Sequence, residues 1–353
     1  VDKIKIKALL ITAPYKIEFK KVTLPELEKD EVCVKVGYVG LCGTDIDIFK
    51  NEAHFKVDYP RIAGHEWSGI IEKTGSDVKS FKPGDKVVGD CLVSCGKCSA
   101  CLSGYYTSCK VLKTVGTSAP YIDGAYKEYM IMPERHLYKI PKCVSLLEAC
   151  ITEPSVIAAY AVDVLKIEPG DIVLVSGTGA IGAVAAQYAK LKGSGIVILT
   201  GRNDKKLQII RETGIDYTIN IKKDMLNQKL NEIIKGREIN ISIEASGSIE
   251  ALVDLLKITG KFGQISVPGS YNTPLKNFDL GNMAAKDLSL RVTGSSGGGA
   301  AFNKILWLIQ LKKINTLSLI TEVFDFKNIN DAINLHLKPN DSIKTVIKIC
   351  KDA

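Results

Sequence analysis

Apolar positions along this chain follow two regimes. Over residues 1 to about 150 they come in short stretches, Lys5 to Ile11, Glu31 to Tyr38 and Gly69 to Lys73, set between turn-forming residues, and each predicts a strand. Lys82-Pro-Gly-Asp85 predicts a turn that opens into a further strand, Lys86 to Gly89. This part is expected to be mainly β, with its reactive residues carried on loops. Past mid-chain the pattern changes. Ile172 to Val175 are continuously apolar, as in a strand buried on both faces. Ile196 to Thr200, Ile241 to Glu244, Gly263 to Val267 and Leu288 to Thr293 are read as further strands. Ala183 to Leu191, Met225 to Ile234, Ile249 to Leu256 and Phe302 to Leu311 predict helices that alternate with or follow them, the order of an α/β doubly wound parallel sheet.

The first of these strands runs straight into Ser176-Gly-Thr-Gly-Ala-Ile-Gly182. In such a turn Gly177 permits the tight bend, Gly179 lets a pyrophosphate approach the backbone, and Gly182 lets helix and strand pack closely. The helix amino end then offers free N–H groups to an anion. With an apolar strand before it and a second strand at βαβ distance after it, the turn predicts a dinucleotide site that includes Thr178, Ala180 and Ile181. NAD sites usually carry an acid roughly 20 residues after the glycines, on the ribose 2′-OH. Here Gly201-Arg202-Asn203 follows the second strand. An arginine clamps a 2′-phosphate where a carboxylate would repel it, and Lys206 lies one turn further on, so NADP is favoured over NAD. Lys205 is read as a surface charge.

Composition narrows the class. Of 353 residues 46% are hydrophobic and 24% charged, which suits a folded chain of two domains. The net charge of +8 is scattered, with no basic run, so nucleic acid is not expected as a partner. Neither a signal core nor a membrane span is legible, and a cytoplasmic location is expected. Four of the ten cysteines, Cys95, Cys98, Cys101 and Cys109, are spaced C-x2-C-x2-C-x7-C, which suits a closed tetrahedral structural zinc better than disulfides. Cys91 is left outside that set, and Cys33, Cys143 and Cys350 are expected to be small buried hydrophobes.

Two loops carry candidate chemistry, Gly40-Leu-Cys-Gly-Thr-Asp45 and Gly64-His65-Glu66. A catalytic zinc takes three protein ligands and keeps one position open. Cys42 and His65 fit, with Glu66 or Glu153 as the third. His54, His136 and His336 lack such company and are read as loop or surface residues.

Taken together, Cys-Gly-Thr-Asp at 42 to 45, Gly-His-Glu at 64 to 66, Lys-Pro-Gly-Asp at 82 to 85, the four-cysteine set, Glu153-Pro154 and the glycine turn resemble the zinc-dependent medium-chain dehydrogenase/reductase superfamily, on its sorbitol (polyol) and threonine dehydrogenase branch. The resemblance implies a GroES-like, mainly β catalytic domain over 1–155 and 292–353, a Rossmann domain over 156–291, and an active site between them. It places Glu66 as ligand or close neighbour of the metal, and Glu153 where alcohol dehydrogenases have a second cysteine. A harder, carboxylate-rich shell suits a substrate with several hydroxyls. Thr44 is the implied first proton relay; many relatives continue with a histidine five residues after the ligand cysteine, where this chain has Asp47. Ile181 is implied to meet the dinucleotide, Val267 the nicotinamide, and Thr293 its amide. Sorbitol dehydrogenases tend to have arginine in the position of Thr293, which argues against sorbitol itself. The function expected is hydride transfer between a secondary alcohol, a polyol or sugar, and NADP, by a homodimer or homotetramer. Rivals are an NAD-dependent threonine, amino-alcohol or butanediol-type dehydrogenase, and a non-enzymatic structural or nucleic-acid-binding zinc protein.

Overall fold

The computed structural model describes residues 4–269, 271, 274–275, 278–294 and 299–350. The glycine-rich run Ser295 to Gly299, which the sequence allows as a hinge, a cofactor-facing loop or a simple connector, lies outside them except for Gly299, where the helix Gly299–Gln310 begins.

The first lobe is organised on the strand Glu31–Gly40, whose Val32, Val34, Val36 and Val39 are fully buried. It lies inside a seven-stranded sheet ordered Leu137–Lys139, Lys86–Gly89, Glu66–Thr74, Glu31–Gly40, Lys344–Lys348, Ile320–Asp325, with Tyr129–Pro133 also paired to Glu31–Gly40. Both ends of the chain therefore build one sheet. Val346 lies opposite Gly40, and Ile347 opposite Val39. An antiparallel ribbon, Lys5–Ala13 with Lys16–Thr23, packs beside it. The strand foreseen from Gly69 begins at Glu66, so Glu66 belongs to a strand and not to a loop. Likewise the segment after Cys42 is the helix Gly43–Lys50.

The second lobe holds a six-stranded parallel sheet in the order Tyr217–Asn220, Ile196–Gly201, Ile172–Ser176, Ile239–Glu244, Thr259–Val267, Ser289–Val292. Counted in chain order within the lobe this is 3-2-1-4-5-6, the Rossmann order, and the topological switch falls beside the first strand. Every residue of Ile172–Ser176 is buried, because helices cover both faces, and this is why its apolar run is unbroken. The helices expected over this half are present as Ala180–Leu191, Leu226–Ile234, Ile249–Ile258 and Gly299–Gln310. Helix Thr152–Asp163 connects the lobes and carries Glu153 in its first turn. No described helix is long and apolar enough to cross a membrane.

Three placements differ from expectation. His136 is buried, since its Nε2 accepts the Ser94 N–H at 3.0 Å and so satisfies a donor at the base of the four-cysteine segment. His336 is half-buried at the end of helix Ile329–His336, bonded to Thr345 Oγ1 at 2.8 Å. Cys143 is exposed in the turn after Pro141.

Leu174 is fully buried in the central parallel strand. Leu174→Ala should cost about 2–5 kcal/mol by lost burial and a residual cavity, read as a lowered thermal midpoint of the full chain.

Candidate active site

The site is built around a carboxylate that is itself not a candidate ligand. Asp45, in the first turn of Gly43–Lys50, is buried. Its Oδ2 accepts the Cys42 N–H and the Tyr126 hydroxyl, each at 3.0 Å, while Oδ1 accepts the Gly64 N–H at 3.1 Å. The same Oδ1 faces His65 Nδ1 at 3.8 Å. One acid thus fixes the loop before Cys42 against the loop before His65. Gly64 has φ +92, and the Val39 and Tyr126 side chains leave little room for a Cβ there.

Cys42, His65 and Glu66 consequently offer ligand atoms that all lie within 4.8 Å of one another. Burial pulls the His65 imidazole down, but Cys42, Asp45 and Glu153 outweigh it and hold it well above its usual value. A histidine that turns Nδ1 toward a carboxylate while its ring meets a thiol has the orientation of a metal ligand with an outer partner. Glu66 is ion-paired with Lys344, and Lys344 Nζ also donates to Leu41 O at 3.1 Å. Burial lowers the Lys344 ammonium, but Glu66 and Cys42 hold it above its usual range. A Cβ on Gly40 would strike the Glu66 carboxylate, so the pair depends on glycine there. Glu153 is also buried, and its Oε1 accepts the Cys91 thiol at 3.0 Å. Burial pushes the Glu153 carboxyl up to about 7, with His65 opposing and Glu66 adding. Sulfur, imidazole and carboxylate donors brought together, with His65 and Glu66 buried and Cys42 half-buried, fit zinc. Thr44 stands half-buried in the first turn of the helix, one turn before Asp47.

Cys95, Cys98, Cys101 and Cys109 converge in the same way, with all four sulfurs within 4.8 Å. The Cys98 and Cys101 sulfurs are 3.4 Å apart, far beyond a disulfide bond. Backbone N–H groups of Lys97 and Cys98 push the Cys95 thiol down to about 6. This is a donor set for a closed tetrahedral zinc. Cys91 is not among them; its thiol bonds Glu153, which lies outside the Cys42, His65 and Glu66 group.

In the glycine turn, Gly177 has φ +120 and a Cβ there would sit 2.8 Å from the Ala245 carbonyl and the Ser246 nitrogen. A Cβ on Gly182 would strike the Gly177 carbonyl. Around Gly179 nothing lies within 4 Å, which leaves the approach to the backbone open. Gly179 caps the helix Ala180–Leu191, so the N–H groups of Ala180, Ile181 and Gly182 are free for an anion. At the end of the neighbouring strand, Gly201 packs on Thr178, Arg202 is exposed, and Lys206 is half-buried. Lys205, read as a surface charge, is exposed and paired with Asp341 at 2.6 Å. At the opposite end, the Val267 carbonyl accepts the Thr293 N–H at 3.1 Å. Thr293 Oγ1 and Ser266 Oγ are buried with no hydrogen-bond partner among the described residues, which suits a ligand amide.

Sequence reasoning did not assign roles to Asp45, Tyr126, Lys344 or Cys91. Asp45 lies inside a motif already noted, so its signal was present. Lys344 is 303 residues from Leu41, and nothing local announces it.

Residues 28–142 match the family model of the alcohol dehydrogenase GroES-like domain, and residues 180–311 match that of the zinc-binding dehydrogenase. A sorbitol dehydrogenase of Halalkalibacterium halodurans is 34% identical over 329 residues, covering 92% of this chain and 93% of that protein. D-xylulose reductase A of Aspergillus niger is 29% identical over 344 residues, with 94% of each chain covered. Among solved structures, an alcohol dehydrogenase of Escherichia coli CFT073 in complex with NADH superposes with a TM-score of 0.87 at 29% identity, covering 98% of this chain and 99% of that one. The chain belongs to the zinc-dependent medium-chain dehydrogenase/reductases, on their sorbitol and polyol dehydrogenase-like branch. It is an oxidoreductase of alcohol substrates with a nicotinamide cofactor.

Burial pushes the His136 imidazole from 6.5 down to about 4, outweighing its bond to Ser94. Between those values the unfolded chain binds the proton and the folded one does not. The stability His136 provides is therefore present above pH 6.5 and lost as pH falls toward 4, by roughly 3 kcal/mol. Urea unfolding at several pH values in that window should show a shallower loss for His136→Gln than for the parent chain.

Proposed function

We propose that this chain interconverts a polyhydroxylated secondary alcohol and its carbonyl with NADP, in a catalytic unit formed by residues 1–155 and 292–353 set against a nucleotide unit of 156–291. The observation that carries the proposal is the pair of residue groups that follow two strands of the parallel sheet, Ile196–Gly201 and Ser289–Val292. One has Arg202 and Lys206 and no acid on its strand, and the other has the unpartnered Thr293 hydroxyl. The N–H groups after Gly179 would hold the pyrophosphate, Arg202 and Lys206 the 2′-phosphate, and Thr293 and Val267 the nicotinamide end.

Cys42, His65 and a carboxylate from Glu66 or Glu153 would hold a zinc ion, which when bound would act as a Lewis acid and lower the pKa of an alcohol hydroxyl. Asp45 keeps Cys42 and His65 in register for that task. Thr44 would take the proton released from the alcohol and Asp47 would pass it toward solvent; the nicotinamide, when bound, would be the hydride acceptor. Two carboxylates beside one thiolate favour a hydroxyl-rich substrate. Thr293, in place of the arginine common in sorbitol dehydrogenases, favours a polyol or sugar other than sorbitol.

The second zinc, in the four-cysteine set, has a structural role. A homodimer or homotetramer is also proposed. Among the described residues the strand Ser289–Val292 pairs on one side only, and it exposes 71% of Val292, which suits pairing with a second copy.

Initial rates with NADP+ and NAD+ over polyols, aldoses, diols and threonine test the proposal. Preference for NADP+ on a hydroxyl-rich substrate is expected; preference for NAD+, or activity on threonine alone, overturns it. Cys42→Ser should lower kcat by roughly a thousandfold, the several kcal/mol of Lewis-acid stabilisation at stake, and leave ADP-ribose binding intact. Arg202→Ala should raise the KM for NADP about tenfold, the worth of one charge-assisted hydrogen bond, and barely change that for NAD.

A further inference from the structure

The strand end that carries Arg202 lacks the acid of an NAD site, yet a carboxylate stands close by. It comes from the other lobe. Asp341 accepts Asn203 Nδ2 at 2.7 Å and Lys205 Nζ at 2.6 Å. Asn203 caps the helix Asp204–Glu212, its Oδ1 accepting the Lys206 N–H at 3.1 Å, so Asp341 grips the helix start that follows Arg202.

The turn that presents Asp341 is braced on both sides. Asn340 donates to the Leu335 and Lys338 carbonyls at 3.0 and 3.1 Å and accepts the Ser342 N–H at 3.0 Å. The Ser342 hydroxyl bonds those of Thr321 and Thr345 at 3.0 and 2.9 Å. The carboxylate is thus fixed in place and not borne on a free tail. Lys205 first, and Asn203 after it, hold the Asp341 carboxyl below its usual range, and Asp341 in turn raises the ammonium of Lys205.

We propose that Asp341 is a specificity-determining residue for the dinucleotide. It competes with a 2′-phosphate for Lys205 and Asn203 and repels that phosphate, so that it limits the preference for NADP that Arg202 and Lys206 create. The proposal rests on the placement of the 2′-phosphate at Arg202 and Lys206. Its physical basis is charge. Asp341 and Lys205 are both solvent-exposed, so their bond is weak and readily exchanged. The repulsion acts within a Debye length and fades with salt.

Calorimetric titration of the zinc-loaded full chain with ADP-ribose and with 2′-phospho-ADP-ribose separates the two claims without turnover. Asp341→Asn should bind 2′-phospho-ADP-ribose about fivefold tighter, a gain on the scale of one exposed charge contact, with ADP-ribose unchanged. The gain should shrink in about 0.5 M salt. Lys205→Ala, which leaves Asp341 in place, should weaken only the 2′-phosphorylated probe, by about threefold. No change with either variant, or equal changes for both probes, overturns the role of Asp341. The ratio of the two affinities in the parent chain tests the NADP assignment separately. If the parent prefers ADP-ribose and Asp341→Asn narrows the gap, NADP is wrong as the preferred cofactor and Asp341 stands.

Discussion

The site depends on one buried acid. Asp45 accepts three donors, two from backbone on different segments and one from Tyr126. Without it, the residue before the helix Gly43–Lys50 and the residue before the strand Glu66–Thr74 would have no common reference, and a thiol and an imidazole would meet only by accident. A buried carboxylate is costly unless its oxygens are satisfied. Here the groups that satisfy it are the ones that must be held. The cost of burying the charge and the precision of the site have a single cause.

Around that centre the lobes contribute unlike things. The first supplies donors of every hardness, sulfur, nitrogen and oxygen, and a lysine to balance the excess carboxylate at Glu66. The second supplies backbone, an open glycine turn and unengaged N–H groups at a helix start. Reactivity therefore resides in side chains on one side and recognition largely in main chain on the other. Helix Thr152–Asp163, with Glu153 in its first turn, joins the two.

Much of this was legible from local patterns. The parallel strand Ile172–Ser176 showed in its unbroken apolar run because burial on both faces removes alternation. The glycine turn and the four cysteines carry their geometry in their spacing; Cys42 and His65, read as ligands from their residue types, are brought together with Glu66, one of the two carboxylates considered for the third position. What stayed hidden was pairwise and long-range. The ion pair of Glu66 with Lys344 and the bond of Asp341 to Lys205 join segments whose proximity depends on the finished sheet. His136 misled for a related reason: its partner is a backbone N–H of Ser94, which no residue pattern marks. Boundaries moved where packing outweighed local propensity, as at Glu66, drawn into a strand by its pairing opposite Gly40.

The pairing of Lys344–Lys348 with Glu31–Gly40 has a consequence for biosynthesis. On the ribosome, the first lobe emerges early with its cysteine and histidine in sequence, but its sheet lacks an inner strand and its buried glutamate lacks a counter-ion until Lys344 has been translated. Through that interval the nucleotide lobe, whose parallel strands Tyr217–Asn220 to Ser289–Val292 are all encoded in between, is free to fold as a unit. The nascent first lobe meanwhile exposes an unpaired sheet edge beside a metal-hungry thiol. A nascent chain of this design would be most exposed to mispairing and to capture of the wrong metal late in synthesis, just before its last strand closes the sheet.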